Sequence, residues 1–271
     1  MKVSLKTICE FFGHSRQAFY KRQKNALKTF LEEQLILSEV RRIRRILPKL
    51  GSRKLHLDLK NLGFKIGRDK LFRLLKRHNL LVKRSKRSSR TTYSKHWFKK
   101  YPNLIQGMPL TGPNQVFVSD ITYLKTNCGF VYLCLITDAF SRKIVGWDVS
   151  DSLSFEGALR ALKMALKAVT HPDGLIHHSD RGVQYCCHDY VKLLNDHHVL
   201  ISMTEENHCY ENAIAERVNG ILKQEFFLNQ TLPSLKVAKE LVKNAVLTYN
   251  SVRPHMSINY KTPNEVHSCT Y

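Results

Sequence analysis

The second half of the chain contains three consecutive runs of residues with strong β preference. Residues 114–126 read NQVFVSDITYLKT and residues 130–150 read FVYLCLITDAFSRKIVGWDVS, with short connections between the runs. Strands joined by such short turns pair as an antiparallel meander. Amphipathic helices then alternate with two short apolar runs, GLIHHSD and LISMTE. This order predicts a mixed α/β sheet flanked by helices, and several α/β folds share it.

Charge is divided unevenly along the chain. Residues 1–110 hold 29 Lys and Arg against 6 Asp and Glu, a net charge of +23, whereas residues 111–271 hold 15 against 16, a net charge of −1. Lys and Arg that neutralise phosphates release counterions, which supplies most of the non-specific affinity for nucleic acid. Residues 1–110 are therefore predicted to bind DNA. The alternative is a basic surface that only keeps the protein soluble.

Residues 1–27 are predicted to form a helix-turn-helix. An apolar helical pattern ends at Gly13, and Ser15 suits the N-cap of a second helix. In this motif the second helix enters the major groove of DNA, and its polar residues meet base edges. The residues of that helix predicted to bind DNA are Arg16, Gln17, Lys21 and Arg22. An ordinary helical hairpin is the alternative.

Residues 28–82 are predicted to form a second helix-turn-helix-like DNA-binding unit, with a helix from Phe30 to Leu47 and two shorter helices after Pro48. Residues 83–110 are too polar and cationic to fold alone and are predicted to be a basic linker. The linker cations predicted to bind DNA are Lys83, Arg84, Lys86 and Arg87. Residues 111–271 then form the α/β domain.

Three carboxylates of the α/β domain occupy positions that suggest a function. Asp120 lies inside a strand, where an unpaired charge is costly, and Asp180 ends the fourth strand, where α/β sheets bind ligands. Glu216 lies on a predicted helix. Its face of that helix also carries Asn212, Gly220 and Lys223. The alternatives are a turn residue for Asp180 and a plain solvent face for Glu216.

Five segments together resemble one known family: VFVSDITYL, LITDAFSRKIVGWDVS, HHSDRGVQYCC, SMTEENHCYENAIAERVNGILKQEF and YNSVRPHMSINYKTPNEV. They are similar to transposases encoded by the second reading frame (OrfB type) of insertion sequence three family elements, a group similar to retroviral integrases in its DDE catalytic core. The resemblance covers nearly the whole chain, and 35 residues separate Asp180 from Glu216, as in this group. Glu206 stands where the family often has glycine, which is one departure from its pattern.

The resemblance implies a ribonuclease-H-like catalytic core over residues 111–271 and a transposase that cleaves DNA and transfers strands at element ends. Asp120, Asp180 and Glu216 would be its catalytic residues, and Lys223 would contact a DNA phosphate. It also implies assembly of several copies on DNA and a partner subunit from an upstream reading frame. A nuclease without joining activity and a non-catalytic DNA-binding protein from a decayed element are the alternatives.

Three carboxylates without a Cys or His pattern favour Mg²⁺ or Mn²⁺ over zinc. Two such ions, roughly 3.5–4 Å apart, serve phosphodiester displacement, and Asp120 would bridge them while Asp180 and Glu216 hold one each. His178 and Asn212 are expected to stand behind these ligands.

For several other side chains, the sequence allows two interpretations. A zinc site formed by the cluster of His177, His178, Cys186, Cys187 and His188 is an alternative to packing. Asp138 is either a fourth acid or a turn cap. Arg253 and His255 suit DNA contact and packing equally well. The chain has no run long enough for a membrane span and no signal-peptide pattern, which predicts a cytoplasmic protein, associated with the nucleoid in a bacterium.

Overall fold

The computed structural model describes residues 3–83, 97–169, 172–205 and 212–269. Two compact units divide the chain, Met1–Lys83 and Arg84–Tyr271. The predicted linker cations Arg84, Lys86 and Arg87 lie outside the described residues, whereas Lys83 is described and exposed. In the described ranges, no helix has both the length and the apolar character that a membrane crossing requires.

The first unit consists of helices. They are α1 (Leu5–Phe11), α2 (Arg16–Ile46), α3 (Ser52–Asn61) and α4 (Arg68–Arg77). The predicted N-cap is confirmed, because the Ser15 hydroxyl accepts a hydrogen bond from the Ala18 N–H at 3.1 Å. Helix α2 differs from the prediction, since it continues unbroken through residues 27 and 28, where two units were expected to meet. Residues 16–46 contain neither glycine nor proline, so nothing in the chain interrupts the helix.

The core of the first unit lies between the second half of α2 and helices α3 and α4. Seven leucines there have no exposed surface: Leu37, Leu50, Leu55, Leu59, Leu71, Leu74 and Leu75. Arg44 joins the same elements, because its guanidinium donates to the Leu80 carbonyl at 2.6 Å and to the Leu50 carbonyl at 3.1 Å. By contrast, Cys9 is the one buried residue within residues 3–35. The helices after residue 35 therefore form the rigid part of this unit.

The second unit contains a mixed sheet, as the sequence predicted. Its strands are β1 (Val116–Thr126), β2 (Gly129–Asp138), β3 (Ile144–Ser150), β4 (Ile176–Ser179) and β5 (Leu200–Met203). Their order across the sheet is β3-β2-β1-β4-β5. The first three strands form the antiparallel meander, while β4 and β5 add to β1 in parallel.

Helices cover both faces of this sheet. The helices that pack with Phe117, Cys134 and Ile136 are α5 (Phe155–Lys167), α6 (Val183–Cys186) and α7 (His188–Asp196). The helices that pack with Leu124, Leu133 and Leu135 are α8 (Ala213–Glu225) and α9 (Leu235–Ser251). A short helix α10 (Pro263–Ser268) follows. The alternation of buried side chains along β1 and β2 assigns each residue to one of these layers, so Asp120 lies on the α8 side.

Candidate active site

Strands β1 and β4 bring Asp120 and Asp180 to the same level of the sheet. Each paired residue of β4 lies 60 positions after its β1 partner, and Val118 pairs with His178 in this parallel register. Asp120 lies two residues beyond Val118 in β1, and Asp180 lies two residues beyond His178, directly after the end of β4. The alternation along β1 directs Asp120 to the α8 side of the sheet, and the charge of Asp180 is close enough to raise the pKa of Asp120.

Helix α8 runs along β1 and bonds to it through three polar side chains. The bonds are Asn212 Nδ2 to the Ser119 carbonyl at 2.9 Å, Asn219 Nδ2 to Asp120 Oδ2 at 2.8 Å, and Lys223 Nζ to Thr122 Oγ1 at 3.1 Å. The apolar residues Val218, Ile221 and Leu222 of α8 are buried beneath it. Glu216 is exposed and lies on the helix between Asn212 and Asn219. The helix thus carries Glu216 past the strand that carries Asp120.

The three acids share one electrostatic environment. Burial, together with the negative charges of Asp180 and Glu216, raises the pKa of Asp120 to about 7, although the hydrogen bond from Asn219 acts to lower it. Asp180 is oriented by its own loop, because its Oδ1 accepts a hydrogen bond from the Gly182 N–H at 3.0 Å. Negative charge therefore accumulates around Asp120, and a bound cation would relieve it.

The chemistry of the donor atoms fits a hard divalent cation. Besides the carboxylates, Asn212 and Asn219 each have a buried Oδ1 with no hydrogen-bond partner in the described part of the chain. Oxygen donors of this kind suit Mg²⁺ or Mn²⁺ and not zinc. Across the described ranges, no group of three or more His, Cys, Asp or Glu side chains is already arranged to hold a metal ion. The three acids are neighbours in the fold, and their role as ligands stays a prediction.

The histidines before Asp180 belong to the interior of the sheet. His177 Nε2 hydrogen-bonds to Ser119 Oγ at 2.8 Å and to the Tyr190 hydroxyl at 2.9 Å. Burial, followed by the neighbouring His178, lowers the pKa of His177 to about 3, so this ring is neutral. His178 is fully buried, and its Nδ1 hydrogen-bonds to Ser202 Oγ at 2.9 Å. Both rings are buried and hydrogen-bonded within the fold, which favours the packing interpretation over a zinc site.

Asp138 caps a turn. Its Oδ1 accepts hydrogen bonds from the N–H and the hydroxyl of Ser141 at 2.7 and 2.6 Å, and its Oδ2 accepts one from the Asn114 N–H at 2.8 Å. Burial acts to raise the pKa of Asp138, but the interactions with His267, Ser141 and Asn114 outweigh it and lower the pKa. The carboxylate is fully buried in these contacts, which supports the turn-cap interpretation over a fourth catalytic acid.

Arg253 and His255 are also buried, and their contacts support packing over DNA binding. The Arg253 guanidinium is 2% exposed and forms two hydrogen bonds with the Glu225 carboxylate, at 2.8 and 2.6 Å. His255 Nε2 lies 2.8 Å from the same guanidinium, and its ring meets the Tyr249 ring edge to face. Asn250 of the same segment bonds both backbone groups of Ile144 at 2.9 Å. The tail of the chain therefore joins the last turn of α8 to the start of β3.

The structure describes five of the predicted DNA-binding residues of the first unit and its linker, and all five are exposed: Arg16, Gln17, Lys21, Arg22 and Lys83. Arg22 also hydrogen-bonds to His14 at 3.0 Å. Lys223 is half-buried, and burial lowers its pKa. Of the acids near Glu216, Glu205 is exposed, while Glu206 and Glu211 lie outside the described residues.

Asn219 is the residue of this site that the sequence patterns missed. It follows Glu216 by three positions and falls on the buried side of α8, between Val218 and Ile221. A polar side chain within an apolar face was the available signal, because a buried amide needs a partner. Its partner, Asp120, lies 99 positions away in the chain, so only the fold reveals the contact.

The fold and the acidic residues define a protein with an integrase core of the ribonuclease-H-like type. Two family profiles described as integrase core domain match residues 111–209 and 197–263. The solved simian T-cell lymphotropic virus intasome, in complex with PP2A regulatory subunit B56 gamma, has the same fold with a TM-score of 0.51 at 18% identity, covering 82% of this chain and 72% of that one.

Two relatives match nearly end to end. The uncharacterized 31 kDa protein of insertion element IS600 from Shigella sonnei is 34% identical over 94% of this chain and 96% of its own length. The transposase InsF for insertion sequence IS3A from Escherichia coli strain K12 is 30% identical over 94% of this chain and 90% of its own length. The chain belongs to the IS3 family of transposases.

Proposed function

We propose that this protein cuts and joins DNA at the ends of an insertion sequence, with Asp120, Asp180 and Glu216 as its catalytic carboxylates. The observation that carries the proposal is the raised pKa of Asp120, to which the charges of both other acids contribute. Carboxylates that repel one another in this way are suited to hold divalent cations for phosphoryl transfer. The name of the IS3A relative, a transposase, supports the same reaction.

The residues of the chain would position the cations and the DNA. Asp120, Asp180 and Glu216 would hold the divalent cations, and the Asn219 amide, which donates to Asp120 Oδ2, would keep the Asp120 carboxylate oriented for this. When bound, Mg²⁺ or Mn²⁺ would activate the attacking oxygen and stabilise the leaving oxygen of an in-line displacement. Lys223, which bonds to Thr122 two residues beyond Asp120, would contact a DNA phosphate next to the reacting one.

Two displacements of the same type account for the reaction. In the first, the oxygen of water attacks a phosphorus at the element end, the bond to the 3′ oxygen breaks, and a 3′-hydroxyl is released. In the second, that hydroxyl loses its proton and its oxygen attacks a target phosphodiester, whose own 3′ oxygen leaves. Each step forms one P–O bond and breaks one, so no covalent bond to the protein is needed.

The first unit would supply affinity for DNA. Its exposed Arg16, Gln17, Lys21 and Arg22, together with Lys83 and the cations that follow it, suit contacts with DNA. Several copies would assemble on the two element ends, and a subunit from an upstream reading frame would join them. Binding to DNA would also hold the protein on the bacterial nucleoid.

A strand-transfer assay with purified full-length protein, duplexes of the element ends and Mg²⁺ or Mn²⁺ tests the proposal. We expect Asp120→Asn, Asp180→Asn and Glu216→Gln each to abolish cleavage and joining while DNA binding persists, because each removes a charged ligand. Glu205→Gln is the matched control, since Glu205 is an exposed acid of the same part of the chain. Wild-type activity in the three variants would refute the site.

Two other results would point to the alternatives. Metal-dependent cuts without a joined product would identify a nuclease. Binding to element ends without cleavage, with or without metal, would identify a non-catalytic DNA-binding protein.

A further inference from the structure

Helix α4 of the first unit packs one face against the core of that unit, and its other face exposes a phenylalanine among charged side chains. Leu71, Leu74 and Leu75 are completely buried. The opposite face carries Asp69, Phe72, Arg73 and Lys76, at the spacing i, i+3, i+4 and i+7 that forms a single stripe on a helix. All four side chains are exposed, including Phe72, of which 47% is accessible. We call these four residues the α4 stripe.

The α4 stripe is held rigidly from behind. The leucines of α4 pack in the closed core with α2 and α3, and Arg44 ties the chain after α4 to the α2–α3 turn through the Leu80 and Leu50 carbonyls. His56 of α3 bonds to the Ile66 carbonyl at 2.9 Å, which fixes the turn that enters α4. Sites that read a ligand need such fixed support. The start of α2 lacks it, because only Cys9 is buried before residue 36.

The charge around the α4 stripe indicates which class of ligand it binds. Within ten residues, α4 has five cations and one acid. The turn before α4 adds the exposed Lys65, and α3 adds the exposed Lys60. A single phenylalanine enclosed by cations is a poor surface for a protein partner, whose interface core would be depleted in charge. A polyanion that also displays apolar groups suits the α4 stripe better. Duplex DNA is such a ligand, because it has phosphates along its backbone and thymine methyl groups in its major groove.

We propose that α4 is the helix that reads DNA sequence, with its stripe in the major groove of a thymine-containing site. The major groove admits an α-helix, and the stripe matches the groups displayed there. Arg73 and Lys76 would donate to guanine, Asp69 would accept from cytosine, and Phe72 would contact a thymine methyl group. This inference rests on the proposed function to the extent that the protein binds DNA. It assigns base reading to α4, whereas the sequence pattern alone predicted that role for the start of α2.

The test begins with full-length protein, without divalent metal, and a duplex pool randomised over about 20 base pairs, two turns of DNA. We expect the wild type to enrich a motif that contains thymine. Replacing the critical thymine by uracil removes one methyl group and should weaken wild-type binding about fourfold. Phe72→Ala should bind the thymine and uracil duplexes equally. Arg73→Ala should lose preference at one G·C pair, at a cost of about tenfold or more in affinity for the motif.

Two control variants distinguish the recognition of DNA sequence from the general effect of removing an exposed phenylalanine or an exposed cation. Phe30→Ala removes another exposed phenylalanine, from α2, and should keep the uracil effect. Lys60→Ala removes an exposed cation of α3 and should weaken binding to all sequences alike. If Phe72→Ala and Arg73→Ala keep the wild-type motif and the uracil effect, or if the wild type binds DNA without any preference, the inference is overturned while the proposed function stands. Failure to bind any duplex would overturn both.

Discussion

At the scale of single residues, the active site depends on how Asp120 is held. Its carboxylate faces two other negative charges, and Asn219 is the side chain that donates to it directly. The hydrogen bond favours the charged form of Asp120 and fixes the direction of its oxygens. Asn219 thus favours the protonation state and the orientation that a divalent cation needs.

We expect Asn219→Ala to reduce strand transfer roughly tenfold to a hundredfold, because a hydrogen bond to a charged group is lost. The concentration of Mg²⁺ that gives half-maximal activity should rise as well, which a loss of stability alone would not cause. Titration of activity with Mg²⁺ measures both effects. Gln224→Ala, at an exposed position of the same helix, is the control. Equal behaviour of the two variants would contradict a role of Asn219 at the site.

His177 gives a prediction about acid stability. Its pKa in the folded protein is about 3, below the value of about 6.5 in an unfolded chain. The unfolded state therefore binds a proton more readily, so this contribution to stability is complete above pH 6.5 and is lost as the pH falls toward 3.

Between pH 7 and pH 5, the free energy of unfolding should fall by about 2 kcal/mol through His177 alone. Urea unfolding at both pH values measures the change. In His177→Gln the difference between the two pH values should shrink by this amount, whatever the absolute stability of the variant. His188→Gln serves as the comparison, because His188 is exposed. The same pH dependence in both variants would show that His177 is not the group responsible.

At the scale of elements, the tail of the chain supports the helix that carries Glu216 and Asn219. Arg253 lies behind the last turn of α8 and forms two hydrogen bonds with Glu225, while Tyr249 and Asn250 contact the β2–β3 turn and the start of β3. The position of α8 over β1 therefore depends on a segment that is far in sequence from Asp120, Asp180 and Glu216.

Arg253→Gln should lower the free energy of unfolding by about 3 kcal/mol, because it leaves the Glu225 carboxylate partly buried without its partner. Arg160→Gln is the matched control. Arg160 also pairs with an acid, Asp148, at 2.8 Å, but it is 53% exposed, so its loss should cost less than about 1 kcal/mol. Urea unfolding compares the two variants. Equal losses would mean that burial of the Arg253 pair adds nothing.

Sequence patterns predicted the strands and helices correctly where apolar residues mark one side of the element as buried. The meander, the two parallel strands and the position of Asp180 at the end of β4 follow from runs of apolar residues. The boundary expected between residues 27 and 28 falls inside α2, which continues from Arg16 to Ile46 and contains neither glycine nor proline. Asn219 and Arg253 could not be assigned, because their partners are 99 and 28 positions away.

At the scale of the whole molecule, the chain separates two tasks by charge. Residues 1–110 carry the excess of cations, and we proposed above that the α4 stripe within them reads DNA sequence. Residues 111–271 have a net charge of −1 and contain Asp120, Asp180 and Glu216. Composition alone revealed this division, because charge counts need no knowledge of the fold. Composition did not reveal that α4 is packed into the core whereas the start of α2 is not, because this depends on which leucines are buried together.

The register between β1 and β4 also bears on how copies of a mobile element decay. Only three residue pairs, from Val116–Ile176 to Val118–His178, define that register. Loss of one codon from either strand would shift the alternation, and one of the two aspartates would then point to the opposite face of the sheet. Under the proposed function, such a copy would keep both aspartate codons and still encode an inactive protein. An intact set of three acids in a gene is therefore insufficient to show that the element can move, and the spacing within these two strands must be read as well.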